Sequence, residues 1–235
     1  MAYLSGKHMV AAYDQSVPIL NDCTIEAEKG QLAVIVGPNG AGKSTAMKVL
    51  LGMLKASSGS ITLEGRDISK LSVQKRISLG LAFVPQTDNV FPTMTVQENL
   101  EMGAFLRNDD ISQTLTEVYD LFPILHDRKN QLVGQLSGGQ RQQAAFGRAM
   151  MTKPTIMLLD EPTAGVAPKV MDEIFDNIVN LKNSGRAVLM VEQNARQALE
   201  IADKGFVLVS GCNEHTGTGK ELLANPEVRR SFLGG

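Results

Sequence analysis

Short apolar and β-branched runs bounded by glycine recur along this chain, and a helical pattern follows most of them. Residues 31–36 (QLAVIV) predict a buried strand, a Gly-rich turn comes next, and residues 43–53 predict a helix. Residues 81–84, 155–159, 187–191 and 206–209 carry the same compact apolar signature and predict further buried strands. Over residues 169–182, Val170, Met171, Ile174, Phe175, Ile178 and Val179 recur at helical spacing, which predicts an amphipathic helix. Strands without polar alternation need cover on both faces. Their alternation with helices therefore predicts an α/β fold with a mostly parallel core sheet flanked by helices.

Two stretches depart from that rhythm. Residues 91–151 hold helical patterns, such as Ile111, Leu115, Val118, Tyr119 and Phe122, and little strand signal, so they predict an inserted helical subdomain. The opening residues to about 25, and residues 61–63, predict strands of an antiparallel β layer. Residues 1–235 thus read as a single domain. Residues 1–90 and 152–235 form its α/β core with the antiparallel layer, and 91–151 form the helical subdomain. No internal repeat and no low-complexity linker interrupts it.

Composition narrows the function classes. The 235 residues are 43% hydrophobic and 20% charged, an ordinary globular balance. With 23 basic against 25 acidic residues the net charge is −2, which argues against a domain-wide field for nucleic acid. Cys23 and Cys212, with His8, His126 and His215, lack metal-ligand spacing, so reduced thiols in a cytoplasmic protein are expected. No apolar run approaches the ~18 residues that span a bilayer, and the opening residues do not read as a signal peptide. A membrane role would then come through a partner.

The strongest chemical signal is Gly37-Pro38-Asn39-Gly40-Ala41-Gly42-Lys43-Ser44-Thr45, the G-x-x-x-x-G-K-[ST] pattern of a phosphate-binding loop. Its glycines let backbone N–H groups turn inward onto phosphates, and the following helix adds its N-terminal dipole. Lys43 is suited to reach the β- and γ-phosphates and the Ser44 hydroxyl to ligate Mg²⁺. A second signal is Ile156-Met-Leu-Leu-Asp160-Glu161-Pro162, two carboxylates ending an apolar strand. Asp160 is suited to hold Mg²⁺ and Glu161 to polarise a water attacking the γ-phosphate. Third comes Leu136-Ser137-Gly138-Gly139-Gln140 before a helical stretch, in which Ser137 could cap the helix and the glycines admit an anion.

The order phosphate-binding loop, Gln86, Leu-Ser-Gly-Gly-Gln, Asp160-Glu161 resembles the nucleotide-binding subunits of ABC transporters over nearly the whole chain. Gly165-Val-Ala-Pro168, Val191-Glu-Gln193-Asn194 and the tail from Asn225 to Gly234 are most similar to the ATPase subunits of importers for branched-chain amino acids and their amide or urea relatives. The resemblance implies the ABC-type P-loop fold, ATP and Mg²⁺ as cofactors, and ATP hydrolysis that powers import. Catalytic roles fall on Glu161, Lys43, Gln86 and Gln193, and metal binding on Ser44, Gln86 and Asp160. Tyr13 resembles the aromatic that stacks on adenine. Residues Ser137, Gly138, Gly139 and Gln140 would bind the γ-phosphate of ATP held by a second ATPase subunit, a different chain or a second copy of this one. The segment 87–100 would receive a coupling helix from the membrane subunit, in an assembly where two ATPase subunits serve two membrane permease subunits and a substrate-binding protein is involved indirectly. Such a subunit sits on the cytoplasmic face of the cell membrane.

Two positions depart from the general family pattern. Gln193 stands where most members have a histidine, and Ala167 where an aspartate is common. Gln193 can donate a hydrogen bond but cannot carry charge. The alternatives are a soluble ABC ATPase of DNA repair or translation and a nucleotide-binding regulator. One phosphate-binding loop and a short helical insert without sustained heptads disfavour the first. Lys43, Asp160 and Glu161 disfavour the second.

Overall fold

The computed structural model describes residues 2–13, 17–87 and 89–232. Met1, Asp88 of the 87–100 segment, and Leu233 and Gly234 of the tail motif lie outside the described residues. Six strands form the core sheet: β3 (Leu32–Val36), β6 (Leu81–Val84), β7 (Ile156–Asp160), β8 (Ala187–Val191), β9 (Lys204–Val209) and β10 (Cys212–Gly217). Their order is β10-β9-β3-β8-β7-β6, and every pairing is parallel except β9 with β10. A second sheet holds β1 (Leu4–Ala11), β2 (Leu20–Ala27), β4 (Ser58–Leu63) and β5 (Arg66–Asp67), antiparallel in the order β2-β1-β4-β5. The mostly parallel core and the antiparallel layer expected from the hydrophobic pattern are both present.

Strand alternation divides the core between two clusters. Ala33 and Ile35 of β3 face inward with Ile25 and Ile61 of the antiparallel layer, and with Met47 and Leu50 of α1 (Lys43–Leu51). Helix α1 is thereby buried between the two sheets. Leu32, Val34 and Val36 face the opposite cluster, which continues without a break into the helices of the 91–151 stretch. After α2 (Val73–Ser78) and β6, those helices are α3 (Val96–Gly103), α4 (Ser112–Leu121), α5 (Pro123–Asp127) and α6 (Gly138–Met150). Val96, Leu100, Val118 and Phe146 pack there with Val84, Met157 and Leu159 of the sheet. The remaining α-helices among the described residues are α7 (Pro168–Asn183), α8 (Ala195–Ile201), α9 (Gly219–Ala224) and α10 (Pro226–Phe232).

Element boundaries differ where tertiary contacts override pattern. The helix expected over 43–53 stops at Leu51, because Gly52 turns left-handed at φ 81. Beside it Arg76, only 2% exposed, caps the helix end. Its Nη1 donates to the carbonyls of Val49 (2.9 Å) and Leu50 (2.6 Å), and Nη2 to that of Ser69 (2.9 Å). The strand expected over 155–159 runs one residue later, which carries Asp160 into register with Val191. β10 has no apolar alternation to announce it. It is held by β9 and by Asn213, whose amide pairs with the backbone N–H (2.7 Å) and carbonyl (2.8 Å) of Thr24 and so links the two sheets.

Parallel registry aligns the carboxyl ends. Ile35 and Asp160 both pair with Val191, and Val84 with Leu159. The segments after β3, β6, β7 and β8 therefore emerge on one edge of the sheet, where open α/β sheets bind ligands.

Candidate functional site

The loop after β3 is shaped by backbone that only glycine tolerates at two points. Gly37 has φ 148, and a Cβ there would stand 2.1 Å from the carbonyl oxygen of Leu208. Gly42, at φ 96, is the N-cap of α1, and no side chain caps that helix. Its first-turn N–H groups thus face a loop built to receive an anion. Lys43 is 5% exposed and folds back, donating from Nζ to the carbonyls of Gly37 (2.9 Å) and Pro38 (3.1 Å). Burial pulls its pKa below the usual lysine value, while the charges of Glu161, Asp160 and Glu192 oppose the shift.

The carboxylates arrive from β7. Ser44 donates its hydroxyl to Asp160 Oδ1 at 3.2 Å, joining the first turn of α1 to the strand end. Glu161 is held at φ 46, in the left-handed region, with its N–H on the carbonyl of Val191 at 2.9 Å. Such a conformation costs about 1–3 kcal/mol for a non-glycine residue and persists only when its surroundings enforce it. Gln86 donates from Nε2 to Glu161 Oε2 at 3.0 Å. Both carboxyls are pushed above the usual carboxylate range, chiefly by burial. For Asp160 the Ser44 hydrogen bond and the charges of Lys48 and Lys43 pull back. For Glu161 Lys43 pulls back, while Asp160 and Glu192 push further. A carboxylate made more basic in this way is better able to accept a proton from water.

Gln193 follows β8 and lines a small cavity with Gly37, Pro38 and Asn39 of the loop and with Ser231 and Phe232 of α10. Its neighbour Glu192 is 1% exposed and accepts hydrogen bonds from Thr163 and from the N–H groups of Gln193 and Asn194. Sequence reasoning treated Glu192 only as part of a family motif. Its signal was a carboxylate directly after a fully apolar strand, the same signal that singled out Asp160 and Glu161.

Two further expected groups make contacts of their own. Tyr13 is 39% exposed, and its hydroxyl accepts from Lys48 Nζ at 3.2 Å, with that ammonium 5.4 Å from the ring centroid. Ser137 caps α6 in a reciprocal box. Its hydroxyl accepts from the Gln140 N–H (3.3 Å), and the Gln140 side chain accepts from the Ser137 N–H (3.2 Å). No hydrogen bond among the described residues ties Ser137, Gly138, Gly139 or Gln140 to the loop or the carboxylates. Gly138 does share a cavity with Gln86, Asn89 and Gln142, and the Asn89 amide bridges the Pro85 carbonyl (3.4 Å) and Gln142 Oε1 (2.9 Å). Sequence reasoning did not find that bridge, since neither amide belongs to a motif it used.

Comparisons with known proteins agree with this arrangement. A family model described as ABC transporter matches residues 20–164, more than half of the chain. Over 227 residues, 96% of this chain and 97% of the relative, the chain is 43% identical to the "High-affinity branched-chain amino acid transport ATP-binding protein BraG" of Pseudomonas aeruginosa. It is 39% identical over 218 residues, 92% of each chain, to the "Probable branched-chain amino acid transport ATP-binding protein LivF" of Archaeoglobus fulgidus. The fold matches the crystal structure of the ADP conformation of an ATP-binding cassette of an ABC transporter at a TM-score of 0.89, with 29% identity and 100% of both chains covered. This chain belongs to the ABC transporter family and is folded as its ATP-binding cassette.

Proposed function

We propose that the chain is a Mg²⁺-dependent ATPase that drives a membrane importer for branched-chain amino acids or related small polar solutes. The observation that carries this reading is the meeting of four groups at one sheet edge. An uncapped helix start, Lys43, the Ser44–Asp160 contact and the Gln86–Glu161 contact all converge there. The oxygen donors suit the metal. Among the described residues no group of three or more His, Cys, Asp or Glu could hold an ion alone. Mg²⁺ is bound typically through one or two carboxylates together with substrate phosphates, which Ser44, Asp160 and Gln86 can complement. When bound, Mg²⁺ supplies charge neutralisation at the β- and γ-phosphates.

The chain's own residues supply the rest. The backbone from Gly37 to Thr45 cradles the phosphates, and Lys43 leaves its two loop carbonyls for them. Gln86 and Gln193 flank the γ-phosphate, and Glu161 orients and polarises the attacking water. Tyr13 exchanges its Lys48 contact for the adenine ring. Ser137, Gly138, Gly139 and Gln140, which share no hydrogen bond with this centre among the described residues, serve the ATP of a second ATPase subunit in a head-to-tail sandwich. A different chain is the partner we favour for that sandwich. The stretch 91–151, which carries those residues, acts as one helical subdomain.

The membrane subunit has a fitting surface. An apolar groove of about 960 Å³ runs between α2, β6 and α3, lined by Met53, Phe83, Phe91, Met102, Phe105 and Leu106. Phe105 and Leu106 are each 75% exposed, an exposure expected of an interaction site. Among the described residues of the segment 87–100, Phe91 alone lines it, so the proposed seat for an amphipathic cytoplasmic helix of the permease extends to 102–106. No described helix is long and apolar enough to cross a membrane. The test is Glu161→Gln, which should bind ATP without hydrolysing it. Its solution mass is measured with and without Mg-ATP, alone and with the partner ATPase. An ATP-dependent dimer is expected, and absence of ATP binding would sink the reading.

A further inference from the structure

Glu192 is a charged side chain at 1% exposure that the mechanism above does not use. A buried carboxylate is tolerated when hydrogen bonds replace its water, and here four donors do so. Oε1 accepts from the Thr163 hydroxyl at 2.5 Å and the Thr163 N–H at 3.1 Å. Oε2 accepts from the Gln193 N–H at 2.8 Å and the Asn194 N–H at 3.1 Å. The ring closes through the Asn194 amide, which donates to the Thr163 hydroxyl oxygen at 3.3 Å. The two halves of the carboxylate therefore serve different segments. One is the turn that follows Glu161, and the other is the start of the segment carrying Gln193.

The backbone extends the connection. The Glu192 N–H donates to the carbonyl of Ile35, next to the end of the strand that enters the phosphate-binding loop, at 3.1 Å. The Glu161 N–H donates to the carbonyl of Val191 at 2.9 Å. Loop strand, carboxylate turn and Gln193 thus meet around residues 191–192. Gln193 can donate a hydrogen bond but cannot carry charge, so its contribution depends on where its backbone is held.

We propose that Glu192 is a positioning residue: its carboxylate clamps the turn after Glu161 to the Gln193 segment, so that both approach the γ-phosphate as one rigid unit. Charge-assisted hydrogen bonds to backbone N–H groups are strong and short, which suits them to this task. That both segments face a γ-phosphate rests on the ATPase reading above; the clamp itself does not.

Thr163 separates the clamp from ordinary packing. Thr163→Val keeps the side-chain volume and loses the hydroxyl, whereas Thr163→Ser keeps the hydroxyl and loses a methyl. Amide exchange is followed in the purified full chain over peptides covering 161–167 and 190–196. In Thr163→Val exchange should rise about tenfold or more in both segments together, the effect of losing one hydrogen bond to a charged group. Thr163→Ser should stay within about twofold of wild type. ATP turnover should fall by a similar factor in Thr163→Val at nearly constant KM, and Glu192→Gln should follow it, because its amide turns N–H groups toward two donors. If Thr163→Ser is the more perturbed variant, or if exchange rises only in 161–167, the clamp is refuted. A wild-type chain that binds ATP but never turns it over refutes the activity instead, and the exchange result still decides the clamp.

Discussion

The cap at the end of α1 gives the most quantitative prediction. Replacing Arg76 by leucine removes a guanidinium whose Nη1 serves the enclosed carbonyls of Val49 and Leu50, and whose other nitrogens serve Ser69 and Leu71. The Leu50 carbonyl loses its donor, which costs a buried acceptor about 1–3 kcal/mol, and the Val49 carbonyl, which keeps the Gly52 N–H at 3.0 Å, loses a hydrogen bond to a charged group worth about 1.5–3 kcal/mol. Part of that returns, because burial already disfavours the charge and pulls the Arg76 pKa below its usual value. A net loss of about 2–4 kcal/mol is expected, a large fraction of the ~5–15 kcal/mol that holds a domain together. Urea unfolding checks it: at a slope of about 2 kcal/mol per M, the midpoint should fall by about 1–2 M with the slope unchanged. Arg76→Lys should recover only part, since an ammonium cannot span carbonyls that a planar fork reaches at once. A loss under about 1 kcal/mol in Arg76→Leu would show that water or the backbone satisfies those carbonyls and that the cap is dispensable.

Two further outcomes follow from the site and the groove. Asp160 has its folded pKa raised above the unfolded value, so the folded state binds more protons between the two. Nucleotide-free stability therefore falls as pH rises through that window and stays lowered at neutral pH. Asp160→Asn should raise the neutral-pH melting temperature of the protein without nucleotide, with the gain vanishing below the ordinary aspartate pKa of about 4. Calorimetry across pH decides, and a lower melting temperature at neutral pH overturns the sign. Phe105→Asp places a charge in the groove 75% exposed at that position, so folding and ATP affinity should hold. Transport and permease-stimulated ATPase should fall about tenfold or more, the scale of a lost interface anchor; unchanged transport would remove the groove from the docking surface.

How much of this was legible in the sequence depended on where the information lay. Local signals worked. The apolar runs at 81–84 and 187–191 became strands with those bounds, because strands buried on both faces write their boundaries as hydrophobic blocks. The loop from Gly37 to Thr45 was legible because its glycines are demanded by backbone geometry at that place. What failed was anything fixed by a distant partner. β10 depends on β9 and on the Asn213–Thr24 contact, 189 residues apart in sequence. Arg76 reads as one more exposed cation until α1 is laid against it. Glu192 looks like a motif letter until Thr163 closes on its carboxylate.

The same division explains the character of the site. Lys43 is spent on its own loop carbonyls, Glu161 is held in a left-handed conformation, and two adjacent carboxyls are raised by burial. The left-handed backbone at Glu161 and the burial of Lys43 and the two carboxyls each carry a cost, so the surrounding framework must hold them. The framework consists of the residues that sequence reasoning missed: Arg76 at one end of α1, Glu192 behind the carboxylate turn, and the Asn89–Gln142 bridge to α6. A phosphate and a divalent ion would relieve these costs together, by taking Lys43 from its carbonyls and neutralising the carboxylates. Differential relief of that kind is what lets a ligand shift a conformational equilibrium. Because Asn89 connects the Gln86 segment to α6, the shift has a path to Ser137 at the head of that helix, which is the group proposed to serve the neighbouring ATP.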